Sequence, residues 1–256
     1  MKIALPLITF IAGIVLCVVV VAVRLDSLNA RRSEQELAGE LEHVQKKLSD
    51  TKGDIEERLQ RFARRVHADR DFAMKLFVEK DPSAFEITEM ARHYLEPMGF
   101  DLLTIVDSAY RILSSGHFPA SVGGRIAAKG ERVRKAAGFI MDNVKGHEVL
   151  TLQAKASFDI QGAPFYCIGG IIVNKHFMAE LSPRNAAPAM LKLNDTVIGP
   201  LAIESMSEIQ DGSIIVNNAA KRAASFSVGV LGSEANAHLM VIMEPDSRLS
   251  VTSFLM

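Results

Sequence analysis

Ile3 to Val23 is a run of 21 residues with no charge and only Thr9 as a clearly polar side chain. At about 1.5 Å of rise per residue, a helix of this length matches a hydrocarbon layer of about 30 Å. Pro6 falls near its start, where a missing N–H does least harm. A secretory signal has an apolar core of roughly 7–15 residues and a small-x-small exit. Here the core is longer and the exit is Val21-Ala22-Val23-Arg24. Residues 1–24 are therefore expected to form a retained transmembrane anchor. Lys2 and the amino terminus flank one side, and Arg24, Arg31 and Arg32 the other. Counting Lys and Arg alone puts the body of the protein in the cytoplasm.

Residues 25–80 are expected to continue as one long helix. Of the 57 residues from Arg24 to Lys80, 13 are Lys or Arg and 12 Asp or Glu, with both signs interleaved and no proline. Apolar residues recur at Leu37, Leu41, Val44 and Leu48, then at Ile55, Leu59, Phe62 and Val66, each set in steps of 4, 3 and 4. Thr51 takes a seam position between the sets, and the step from Ile55 to Leu59 shifts the heptad. Such a stripe suits either an amphipathic helix lying on its own domain or a two-stranded coiled coil. The narrow seam flanked by Glu, Lys and Arg favours the coiled coil, and with it a homodimer through the stalk. Beyond His67 the stripe widens over Phe72, Met74, Leu76, Phe77 and Val78, so that part is expected to pack on a globular body.

That body reads as α+β. Asp81-Pro82-Ser83 breaks the helix, with Ser83 a candidate N-cap for a helix to about Glu96. A buried strand over 100–106, a turn at 107–110 and a partner strand over 111–115 follow. Next come a Gly/Pro loop at 116–119 and a polar, helix-compatible segment over about 126–137. Two longer strands, 148–160 and 164–174, flank the turn Gln161-Gly162-Ala163, and a short helix over 176–181 leads to a proline-containing linker. After the linker the pattern restarts. Strand, turn and strand recur over 189–198, Ala223-Ala224-Ser225-Phe226-Ser227-Val228 echoes Lys155-Ala156-Ser157-Phe158-Asp159-Ile160, and an apolar strand over 237–243 answers 165–173. Two tandem units are expected, over 81–182 and 183–248, with 249–256 as the start of a possible second membrane helix.

A net charge of −1 gives no electrostatic reason to expect nucleic acid as a partner. Cys17 and Cys167 are the only cysteines. Cys17 lies in the apolar run, so no disulfide framework or zinc pattern is available. No cofactor is expected.

Two stretches carry a resemblance. Leu-Thr-Ile-Val-Asp-Ser-x-x-Arg-Ile-Leu-Ser-Ser-Gly-His-Phe-Pro over 103–119 resembles the strand–turn–strand and loop of extracytoplasmic Cache sensor domains. Phe-Asp-Ile-x-Gly-x-Pro-Phe-Tyr-x-Ile-Gly-Gly over 158–170 is similar to their central hairpin. Together with the order of elements, this resembles the double-Cache, PAS-like input region of sensor histidine kinases and related receptors. The resemblance implies a membrane-distal unit, a smaller membrane-proximal one, an extracytoplasmic body in a bacterial inner membrane, and signal input to a two-component histidine kinase. In those receptors a second membrane helix follows the proximal unit, and an apolar run of about 20 residues encoded beyond codon 256 would match it. The alternatives are a single-pass coiled-coil scaffold binding envelope proteins and a cytoplasmic membrane-tethered adaptor.

No catalytic motif is present: His117, His147, His176 and His238 stand apart, and Ser114-Ser115 has no nucleophile elbow. Binding is the expected chemistry. In 155–160, Lys155, Ser157 and Asp159 share one strand face and offer a cation and an anion to a small ligand such as an amino acid or carboxylate. The same face also suits an ordinary solvated surface. His117 and Tyr166 join the candidates by resemblance of position, followed by Tyr110 and Lys129.

Overall fold

The computed structural model describes residues 4–126, 131–144, 146–182, 187–194, 196–201, 203, 206–209, 213–217, 219–231 and 236–243. Helix α1 runs from Ala4 to Ala68 without interruption, 65 residues or about 98 Å. The expected anchor is thus helical from Ala4 onward, although most of its side chains lie outside the described residues. Among the described residues no helix is long and apolar enough to cross a membrane. The possible second span, 249–256, also lies outside them.

The 4-3-4 stripe of α1 is not a coiled-coil seam. Leu37, Val44, Leu48, Ile55, Leu59, Phe62 and Val66 are all buried within a single chain. Spacing fixes where an apolar stripe runs along a helix and leaves open what covers it. Here the cover is the chain's own pair of sheets. Toward its N-terminal end α1 lies by the second sheet, where Arg222 Nη1 donates to Ser33 Oγ at 3.1 Å. Further on it lies by the first, where Glu56 Oε1 accepts from Ala137 N–H at 2.8 Å. The long helix also ends before Lys80, giving way to α2 (Arg70–Ala73) and a π-helical turn (Met74–Val78).

The expected helix over 83–96 is two short pieces, α3 (Phe85–Thr88) and α4 (Met90–Leu95). Ser83 is not the cap. Its N–H and hydroxyl both donate to Asp81 Oδ1, closing an Asx turn, and Ala84 takes the capping position with no side-chain bond. The break between α3 and α4 has a cause in the sheet. Ser114 Oγ, fully buried, donates to the Thr88 carbonyl at 2.7 Å and accepts from Ala91 N–H at 2.8 Å. Replacing Ser114 by alanine strands both main-chain groups, with an expected cost of about 1–3 kcal/mol. The fall in urea midpoint measures it.

The first sheet is antiparallel, in the order β2-β1-β5-β4-β3. Its strands are β1 (Leu102–Asp107), β2 (Ile112–Ser115), β3 (Gly138–Val144), β4 (His147–Ile160) and β5 (Ala163–Ile172). The β1–β2 turn works because Asp107 Oδ1 accepts from the N–H groups of Ala109 and Arg111, while Tyr110 takes φ +56°. One face of the sheet, including Leu103, Ile105, Ala154, Ala156 and Cys167, packs on α1. The other carries a separate cluster of Val106, Ile112, Val133, Ile140 and Ile168.

Helix α5 (Lys175–Leu181), capped by Asn174, leads to the second sheet. Its order is β7-β6-β11-β10-β9-β8. Here β6 is Ala189–Leu193, β7 Thr196–Ile198, β8 Met206–Ile209, β9 Ser213–Val216, β10 Ala219–Gly229 and β11 Asn236–Met243. Read as first hairpin, last strand and penultimate strand, the order repeats that of the first sheet, with a β9–β8 hairpin where β3 stands. The expected internal repeat is therefore real at the level of topology. The units also touch: Val230 bridges Phe139 in parallel, Leu231 N–H donates to the Phe139 carbonyl at 2.8 Å, and Leu231 joins the far-face cluster of the first sheet. Gly138 makes room for it, since a methyl there would lie 3.1 Å from Leu231 Cγ.

Candidate functional site

Strand β4 is 14 residues long, but β3 accompanies it only from His147 to Gln153. Past that point the segment leading into β3 takes over briefly, with Lys155 N–H donating to the Arg134 carbonyl at 2.8 Å. Main-chain groups alternate in direction along a strand, so those of residues 155, 157 and 159 all point to this side, away from β5. Helix α1 passes alongside, and His67 Nδ1 meets the Asp159 carbonyl. Between helix and strand edge lies a cavity of about 540 Å³. Helix α1 contributes Gln60, Arg64 and His67; β4 contributes Lys155, Ser157 and Asp159; Tyr166 comes from β5 and Lys135 from the segment before β3.

Lys155 is held in place. Its Nζ donates to Tyr110 Oη at 3.0 Å and lies 5.3 and 5.2 Å from the ring centres of Tyr110 and Tyr166. The two rings stack at 5.4 Å and 13°. An ammonium over two aromatic faces gains cation–π attraction. Asp159 is partly committed, since its Oδ1 accepts from Gly162 N–H at 2.8 Å in the β4–β5 turn. The described lining thus sets Arg64, Lys135 and Lys155 against one carboxylate. It favours an anion or a zwitterion.

Of the residues expected from the sequence, Lys155, Ser157, Asp159 and Tyr166 meet in this cavity, and Tyr110 supports Lys155. His117 does not line it. His117 follows β2, next to Gly116, which packs tightly on the Ala91 backbone. Lys129 lies outside the described residues. Sequence reasoning missed Gln60, Arg64, His67 and Lys135. The three on α1 flank the apolar stripe at steps of 4 and 3, a signal that becomes readable once the stripe is assigned to the chain's own sheet.

Cys167 is no nucleophile. It is fully buried opposite Ile105 and Ala156, and burial pushes its thiol well above the ordinary range. In a Cys17→Ser background, Cys167 is expected to resist a disulfide reagent at pH 8 until denaturant is added. Thiol release followed by absorbance checks this.

The sequence matches no family model and no curated protein. Solved structures do match in fold. The periplasmic domain of LuxQ from Vibrio cholerae gives a TM-score of 0.52 at 14% identity, over 80% of this chain and 97% of that one. The sensor domain of the histidine kinase DctB from V. cholerae gives 0.52 at 8%, over 87% and 99%. A domain of a protein assigned to the sensory box/GGDEF family in Vibrio parahaemolyticus gives 0.50 at 10%, over 85% and 98%. At these identities the fold is what is shared. It is the fold of these sensor domains, in keeping with the tandem PAS-like arrangement that the double-Cache resemblance implied.

Proposed function

We propose that this chain is the ligand-sensing input region of a transmembrane receptor, with its two sheets outside the cytoplasm and a histidine kinase as output. It binds rather than catalyses, and its ligand is a small carboxylate or amino acid. The observation that carries this reading is that α1 forms one wall of the 540 Å³ cavity. That volume lies within the roughly 300–1,000 Å³ usual for small-molecule sites. A ligand held there touches both the sheet and the helix that runs back to the N-terminus. Unequal affinity for two placements of α1 is what a signal requires. Along the same helix Leu16, Val19, Val20, Val21, Val23, Leu25 and Leu28 are exposed, which suits insertion in a bilayer. Because the inner stripe of α1 is spent on its own sheets, a homodimer would use its outer face.

The test is titration calorimetry on the 256-residue chain in lipid nanodiscs with free amino acids and four-carbon dicarboxylates. At least one compound is expected to bind, and Arg64→Ala is expected to weaken it at least about tenfold by removing an ion partner. Binding by none, or binding indifferent to Arg64, would remove the sensing role from this cavity.

A further inference from the structure

Beyond Gln153, β4 is an open sheet edge facing a basic cavity. Of the outward main-chain groups, Lys155 N–H is taken by Arg134 and the Asp159 carbonyl meets His67. Between them, the N–H and carbonyl of Ser157 face the cavity with no strand opposite among the described residues. A donor and an acceptor on one residue, presented side by side at an edge, form the pairing unit of an antiparallel ladder. From Lys155 to Asp159 the edge spans about 13 Å, enough for three extended residues.

We propose that the cavity takes an extended acidic peptide by strand addition, a reading that rests on the binding role above and narrows its ligand class. One peptide residue donates its N–H to the Ser157 carbonyl and accepts the Ser157 N–H at its own carbonyl. Directly opposed residues share a sheet face, so that residue's side chain lies diagonal to Lys155, on the face where the tyrosine pair fixes the ammonium. An acidic side chain is the complement. The flanking peptide residues turn their side chains toward α1, where Gln60 and Arg64 stand. Main-chain pairing supplies affinity and the charged pocket supplies selection, as in other strand-addition sites.

The experiment is titration of the full chain in nanodiscs with acetyl-Ala-Glu-Ala-amide, its analogue methylated on the Glu nitrogen, acetyl-Ala-Gln-Ala-amide, free glutamate and succinate. The first peptide is expected to bind, and the methylated and Gln peptides to bind at least about tenfold more weakly, each having lost one paired group. Ser157→Pro removes the donor at an edge position where proline fits, and is expected to abolish binding. If that variant fails to fold, the methylated peptide carries the test alone. Equal binding of the methylated peptide, or binding of glutamate and succinate without either peptide, overturns strand addition while leaving the sensing role intact. Binding of no compound overturns both.

Discussion

Replacing Phe62 by alanine is expected to lower the stability of the folded chain by about 3–5 kcal/mol, the usual cost of deleting a fully buried phenylalanine. Phe62 has no exposed surface and meets the Tyr94 ring at 5.5 Å and 53°. It projects from α1 toward the first sheet, in the same stretch of helix as Gln60, Arg64 and His67, which line the cavity. With stabilities of about 5–15 kcal/mol typical of single domains, the loss takes a large share of the total. One hydrophobic cluster contains Leu103, Ile105 and Cys167 from the first sheet together with Leu191, Leu239 and Val241 from the second, joined through α1. The two sheets are therefore expected to unfold together. Urea denaturation followed by circular dichroism should show a single transition displaced to lower denaturant. Two separate transitions, only one of them displaced, would mean that the shared cluster does not couple the sheets.

The second large effect comes from adding atoms rather than removing them. Gly170 lies opposite Leu102 on one side and Gln153 on the other. A methyl group there would contact the Leu152 carbonyl and lie 2.8 Å from both Gln153 Cα and Cγ. Backbone cannot yield as a flexible side chain does, so β4 and β5 would have to separate. Gly170→Val is expected to cost at least about 3 kcal/mol, at the top of the range for overpacking. The strain would fall on Gln153, whose Nε2 donates to Asp142 Oδ2 and Thr151 Oγ1, both at 2.8 Å, in a buried polar ladder. Denaturation of the purified variant measures it. A midpoint within experimental error of the wild type would show that the strands part without cost.

The sequence made the second unit visible because Phe226 and Phe158 fall at matching places in matching strands, and strand alternation survives wherever one face is buried. It made the stripe on α1 visible but not its partner, since periodicity records an apolar face and not what covers it. Strand β3 escaped because Gly138, Asp142 and Asn143 break its alternation. Asp142 is nonetheless buried, and the Gln153 bond that makes this tolerable spans 11 residues. The site was half legible for a related reason. Lys155, Ser157 and Asp159 lie on one strand, where spacing of two assigns them a common face. Arg64 and His67 reach the same cavity from nearly a hundred residues away, through a packing choice the pattern does not encode. The carboxylate of Asp159 looked like a ligand group and proves to be half a turn device.

Leu231 and the gap above Gly138 bear on how such a molecule can be taken apart. Cutting the chain at the proline-containing linker would deprive the first half of a leucine that walls its far-face cluster, and would strip from α1 the strands β10 and β11 that lie along it. A repeat in topology is thus not a repeat in autonomy. An excised half would reach solution with a hole on one side and an oily ridge on the other, and the two fragments should find each other again when mixed.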